Sequence, residues 1–214
     1  MKKKIILIIA TASTLFAQTV CEVTPGTKGN EMGITIANVS EINPATNIIV
    51  RPPQPLQRRG LEDEVIIFHQ SEQTIDMINP GEEKEVTFTF DVNRSTPISR
   101  KDTIEFTITS PDGIMMMKQF IFSYTGPTEF KLEQNYPNPF NPTTTIQYQL
   151  PQDSKVILKV YDILGSEVAA LVNEEQEAGY KEVKFDAINF ASGIYVYRLQ
   201  AGDYISTKKM MLLR

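Results

Sequence analysis

"EVTFTFDV", residues 85–92, decides the class of fold. Val86, Phe88, Phe90 and Val92 alternate with Thr87, Thr89 and Asp91. Successive side chains of an extended strand point to opposite faces, so the four large apolar groups share one side. Wound into a helix, the same residues would present no single apolar stripe. The stretch is a half-buried strand, and its Val/Phe side belongs in a core.

Working outward, the same period of two recurs between clusters of Gly, Pro, Asn and Asp, while helical periodicity is almost absent. In the first half the predicted strands are "GITIANV" (33–39), "TNIIVR" (46–51), "EVIIFHQ" (64–70), residues 85–92, "DTIEFTIT" (102–109) and "IMMMKQFIFSY" (114–124). "INPGEE" and "SPDG" supply turns between them. The prolines of "VRPPQPLQRRG" (50–60) lack donors and restrict their predecessors, which makes that stretch an exposed connection. The methionines of "IMMMKQFIF" are expected on the core side of their strand, where flexible thioethers fill gaps.

"YTGPTEFKLEQNYPNPFNP" (124–142) interrupts this pattern, and a second β-rich block follows. Its predicted strands are "TTIQYQL", "KVILKVYD", "EVAALVN", "YKEVKFDA", "GIYVYRLQ" and "DYISTKKMMLL", with hairpin turns at "DILGSE" and "QAGDY". The expected fold is all-β: two immunoglobulin-like antiparallel β-sandwiches in series after a cleavable signal peptide. The expected divisions are residues 1–17 for the signal, 18–125 for the first sandwich, 126–142 for a Pro/Asn-rich linker and lead-in, and 130–214 for the second sandwich.

The signal reading rests on "MKKK", the apolar "IILIIATASTLFA" and the small Ala17 ahead of Gln18. The apolar run is shorter than the roughly 20 residues of a spanning helix. A lipoprotein signal ending at Cys21 is disfavoured, because "QTVC" lacks the Leu and small residues that usually precede such a cysteine.

The chain has 21 Lys and Arg against 26 Asp and Glu, a net charge of −5. Loss of Lys2, Lys3 and Lys4 with the signal leaves 18 against 26, a net charge of −8. Such an acidic chain lacks the basic clusters that phosphate contacts need, so nucleic acid is not an expected partner. With Cys21 the only cysteine, no internal disulfide or cysteine-based metal site forms.

Catalytic chemistry finds little support. His69 is the only histidine, no G-x-S-x-G motif accompanies it, and a strand histidine is the expected role. The carboxylates of "LEDE" (61–64), "GEEKE" (81–85) and "NEEQE" (173–177) read as solvated turns, without the spacing of a calcium loop. No catalytic, cofactor-binding or metal-ligating residue is assigned and no cofactor is expected.

"NYPNPFNP" (135–142) remains to be explained. Pro137, Pro139 and Pro142 fix their own φ and push Tyr136, Asn138 and Asn141 toward extended geometry, giving an extended ribbon that holds the way into the next strand. Asn side chains can cap backbone groups that have no ladder partner, and Phe140 can plug the end of a sandwich. The residues alone leave open a plain linker, or a PxxP ligand from Pro139 to Pro142.

"LEQNYPNPFNPTTTIQYQLP", "VYDILGSEV", "ASGIYVYRL" and "TKKMMLLR" occur in that order toward the C-terminus. Together they resemble the C-terminal (type A) sorting domain of type IX secretion cargo proteins, over roughly residues 130–214. On that resemblance Pro137, Asn138, Pro139, Phe140 and Asn141 match the lead-in motif. Tyr161, Asp162 and Gly165 match its "YD-x-x-G" hairpin, Gly193 and Tyr195 its "SGIY" strand, and Lys208 and Lys209 its basic pair.

The resemblance implies recognition by the type IX translocon, removal of the domain by a sortase-like surface protease, and attachment to lipopolysaccharide or release. For the two lysines, charge beside a strand that pairs with a receptor and simple protection of a sheet edge are both open. The expectation is an exported, non-enzymatic surface or secreted protein whose first module is structural or binding. The alternatives are a periplasmic accessory protein with two structural domains, or a small carboxylate-dependent hydrolase.

Overall fold

The computed structural model describes residues 2–9, 19–53 and 65–213. The described residues form strands and connections only, so among them no helix is long and apolar enough to cross a membrane. The chain divides into two compact units, Met1–Asn93 with Ser99–Tyr124, and Arg94–Ile98 with Thr125–Arg214.

In the first unit the strands are β1 (Lys2–Ile9), β2 (Thr19–Val23), β3 (Asn30–Asn38), β4 (Ala45–Arg51), β5 (Ile66–Phe68), β6 (Gln73–Ile78), β7 (Glu83–Val92), β8 (Lys101–Thr109) and β9 (Met115–Tyr124). They make two sheets, ordered β1-β3-β7-β5 and β2-β9-β8-β4-β6. Strand β7 contains the stretch that decided the fold, and Val86, Phe88, Phe90 and Val92 are all buried there. Phe88 meets Phe106 of β8 at 5.2 Å between ring centroids, and Phe90 meets Phe122 of β9 at 5.6 Å. Edge-on aromatic pairs of this kind join the two sheets.

Three features of this unit differ from the reading of the sequence. The sandwich is not wholly antiparallel, because β1 runs parallel to β3 and β2 runs parallel to β9 at the sheet edges. Among the methionines of β9 only Met116 packs on the core, while Met115 and Met117 are exposed on the opposite face. Strict alternation allows one of three consecutive residues inward here, since Lys118, Phe120 and Phe122 continue its side. Strands β2, in "TVCEV", and β6, in "QTIDMI" with its mixed pattern, are additions to the predicted set.

The signal reading leaves residues 1–17 out of the fold, whereas the structure places Lys2–Ile9 as a strand along β3. The junction between Ala17 and Gln18 lies outside the described residues, as do residues 54–64 with most of the proline-rich connection and all of "LEDE". Cys21 sits on β2 with only 3% exposure, in the core.

The second unit comprises β10 (Lys131–Leu132), β11 (Thr143–Leu150), β12 (Ser154–Tyr161), β13 (Glu167–Gln176), β14 (Gly179–Asp186), β15 (Gly193–Ala201) and β16 (Tyr204–Leu212). A sheet β10-β11-β14 faces a sheet β13-β12-β15-β16. Their inner residues, among them Ile146, Tyr148, Leu150, Val156, Leu158, Val160, Tyr197 and Leu199, form a second core. Gly202 and Asp203 make the two-residue turn between β15 and β16, with Gly202 at φ 57°.

Candidate functional site

The four matched motifs lie far apart in sequence, and the second sandwich brings the first and last together. Residues 135–142 do not run as the extended ribbon expected. They form a bent loop pinned at both ends, by a bridge from Tyr136 to Thr145 of β11 and a parallel bridge from Phe140 to Leu212 of β16. The Tyr136–Pro137 and Asn138–Pro139 peptide bonds are cis. Because β11 and β16 belong to opposite sheets, the loop joins the two layers.

Its grip on the terminal strand is a continuous run of hydrogen bonds. Gln134 Nε2 donates to the Lys209 carbonyl at 2.8 Å. The Met211 amide donates to Asn138 Oδ1 at 2.9 Å, and the Phe140 amide donates to the Met211 carbonyl at 2.9 Å. The Leu213 amide then donates to the Phe140 carbonyl at 3.0 Å. These partners occupy the outer edge of β16 from Lys209 onward and the adjoining Leu213. Prolines cannot donate to a ladder, so Asn138 and Phe140 supply the contacts that their neighbours cannot.

Beneath the loop lies a buried polar node that the sequence reading did not single out. Asn135 is 2% exposed. Its Nδ2 donates to the Pro137 carbonyl at 3.0 Å and to Thr144 Oγ1 at 2.9 Å, and Thr144 Oγ1 donates to the same carbonyl at 2.8 Å. The Asn135 amide donates to Tyr197 Oη at 2.8 Å, and Tyr197 Oη donates to the Glu133 carbonyl at 2.8 Å. Burial, partly offset by the Asn135 amide, pushes the Tyr197 hydroxyl up to about 12. The legible signal was the "QN" pair directly ahead of the prolines.

Phe140 is 2% exposed and stands 6.1 Å from the Phe185 ring, in a chain that continues through Phe190 to Tyr195. Pro137, Pro139 and Asn141 are exposed on the outside of the loop. At the hairpin, Asp162 Oδ1 accepts the Leu164 and Ser166 amides at 2.9 Å each, and Gly165 turns at φ 84°. That is an Asx-type turn, for which Asp and Gly are suited by chemistry and backbone freedom. Tyr161 is half-buried beside it, while Ile163 and Leu164 are exposed at its tip.

Gly193 opens β15, and Tyr195 donates from Oη to the Ala191 carbonyl at 2.8 Å. Lys208 and Lys209 are not one basic patch: alternation along β16 turns the exposed Lys209 to the outer face and the half-buried Lys208 to the other.

In the first unit His69 does find partners. Its Nε2 is 3.2 Å from Asp91 Oδ1 and its Nδ1 is 3.2 Å from Thr89 Oγ1. The Gly29 amide, and next the histidine, hold the Asp91 carboxyl below the usual carboxylate range. Thr89 and Asp91 lie on the outer face of β7 and His69 directly follows β5, and Gln70 Nε2 also donates to Thr89 Oγ1 at 2.8 Å. The arrangement links two strands across an open sheet face. Among the described residues no group of three or more His, Cys, Asp or Glu side chains is placed to hold a metal ion.

Residues 134–213 match the family model of the secretion system C-terminal sorting domain. The chain thus carries a type IX sorting tail, which spans the loop, the hairpin, β15 and the gripped strand β16. No curated protein matches the chain.

Among solved structures, latent dimeric PorU from Porphyromonas gingivalis is 14% identical, with 94% of this chain and 19% of that one covered and a TM-score of 0.33. PorZ, described as an essential surface component of the type IX secretion system of P. gingivalis, is 21% identical over 51% of this chain and 15% of that one, at a TM-score of 0.29. The CupB2 chaperone of Pseudomonas aeruginosa is 10% identical over 90% and 96% of the two chains, at a TM-score of 0.30. These are distant likenesses, and this chain spans a fifth or less of PorU and PorZ.

Proposed function

We propose that this protein is a non-enzymatic cargo of type IX secretion, brought to the periplasm by its N-terminal signal and passed to the outer surface through its second sandwich. The observation that carries the reading is the closure of the 134–140 loop on β16, within the segment that matches the sorting family. A recognition element drawn from both ends of one domain exists only once that domain has folded. The translocon can therefore read the composite of exposed Pro137, Pro139, Asn141 and Lys209 as a signature of a completed fold. A sortase-like surface protease then cuts ahead of the second sandwich, and the cargo is attached to lipopolysaccharide or released. The first sandwich is an immunoglobulin-like structural or binding module.

Mass spectrometry of the protein from medium, surface and periplasmic fractions, with both termini mapped, tests this reading. The expected extracellular species starts near Gln18 and ends at about residue 125–135. Normal export of a chain lacking residues 204–214 would overturn the sorting role, as would a periplasmic species that keeps its C-terminus.

A further inference from the structure

Strand β3 is buried along seven successive residues, Met32–Asn38. One edge of it is paired with β7, and the other is paired in parallel with β1, from Lys2 beside Glu31 to Ile9 beside Asn38. Those eight partners lie within the segment read as a removable signal, and this inference rests on that reading. In the mature chain the same edge of β3 has lost its partner, leaving a row of backbone donors and acceptors without a ladder.

We propose that the bared edge of β3 accepts an extended aliphatic segment of a partner protein, added as a parallel strand with its basic end beside Glu31. Four observations define what fits. The chain's own "KKKIILII" already lies there, so the edge takes eight residues in a single register. The end that receives the lysines is acidic: Glu31 is on β3, and the Glu85 carboxylate occupies the space where a side chain at Gly33 would stand.

On the outer face, Thr35 is 4% exposed, and its Oγ1 is buried without a hydrogen-bond partner. A buried hydroxyl in that condition favours an incoming strand that carries its own hydroxyl opposite it. Between β2 and β3 a cavity of about 180 Å³, lined by Cys21, Met32 and Phe122 and by the polar Thr27, Asn30 and Glu31, can seat one side chain. The recognition is β-augmentation, in which the backbone gives affinity and the alternate side chains give selectivity.

The test uses mature protein purified from cells that express the full chain, with its N-terminus mapped by mass spectrometry. Synthetic KKKIILII is titrated by calorimetry, with hydrogen exchange followed at β3. The expected result is saturable one-to-one binding, protection of β3 amides, and loss of at least tenfold in affinity when proline replaces the fifth peptide residue, the one beside Thr35. Threonine at that position should bind about fivefold more tightly than its isostere valine, the worth of one hydrogen bond. Absence of saturable binding, or equal affinity for the proline peptide, overturns the proposal. Isolation of protein that retains residues 1–17 overturns the premise instead, and is recognised from the mapped terminus alone.

Discussion

The backbone amide of Met211 donates to the side-chain oxygen of Asn138 across 2.9 Å, joining residues 73 positions apart. An exposed asparagine between two prolines thereby reads the position of the terminal strand. The contact is made only after β11, β15 and β16 are in place, so it reports the completed sandwich.

The buried node under this contact should be the more sensitive to substitution. Asn135→Ala leaves Thr144 and the Pro137 carbonyl short of a donor in a dry site and should destabilise the second unit by about 2 kcal/mol. Chemical denaturation of the variant should show the loss, together with faster hydrogen exchange at Met211 and Leu213. Stability equal to wild type would count against the node.

Phe140→Ala removes a buried ring that touches Phe185 and should cost about 3–4 kcal/mol. Phe140→Leu refills most of the volume and should cost about 1 kcal/mol. If the loop is what the translocon reads, export should track this order in a secretion assay, with Phe140→Leu exported and Phe140→Ala retained.

Alkaline pH should weaken the second unit through its buried tyrosines. Burial pushes both Tyr148 and Tyr197 up to about 12, from a usual value near 10. A raised value means that the neutral form is favoured by folding, so its contribution is intact below about pH 10 and is lost as pH rises through 12. Absorbance titration at the phenolate band should show two late-ionising tyrosines in this unit, and Tyr197→Phe should remove one of them.

In the first unit the sign is opposite. Asp91 is held below its ordinary value, first by the Gly29 amide and then by His69, so its contribution is present above about pH 4 and is lost as the solution becomes more acidic. Asp91→Asn should flatten the acid limb of this unit's stability curve. An unchanged acid midpoint in circular dichroism would show that the carboxylate adds nothing there.

How much was legible in the sequence differs between backbone pattern and contact. Period-two alternation was enough for the all-β class, for the inward face of β7 and for most strands of both units, because a strand's side chains alternate whatever the strand pairs with. Gly165 and Asp162 were readable as a turn because the turn's chemistry is local. Alternation also places Lys208 and Lys209 on opposite faces of β16.

Only the tertiary structure decided that the proline-rich stretch bends into a loop and that its target is β16. Those hydrogen bonds link residues with no local relation, and register between distant strands is set by the packing of both sheets at once. For the same reason the "QN" pair marked the position of Asn135 without revealing it as a keystone. An asparagine beside prolines suits any solvated turn, and only burial against Thr144 and Tyr197 makes its hydrogen bonds costly to lose.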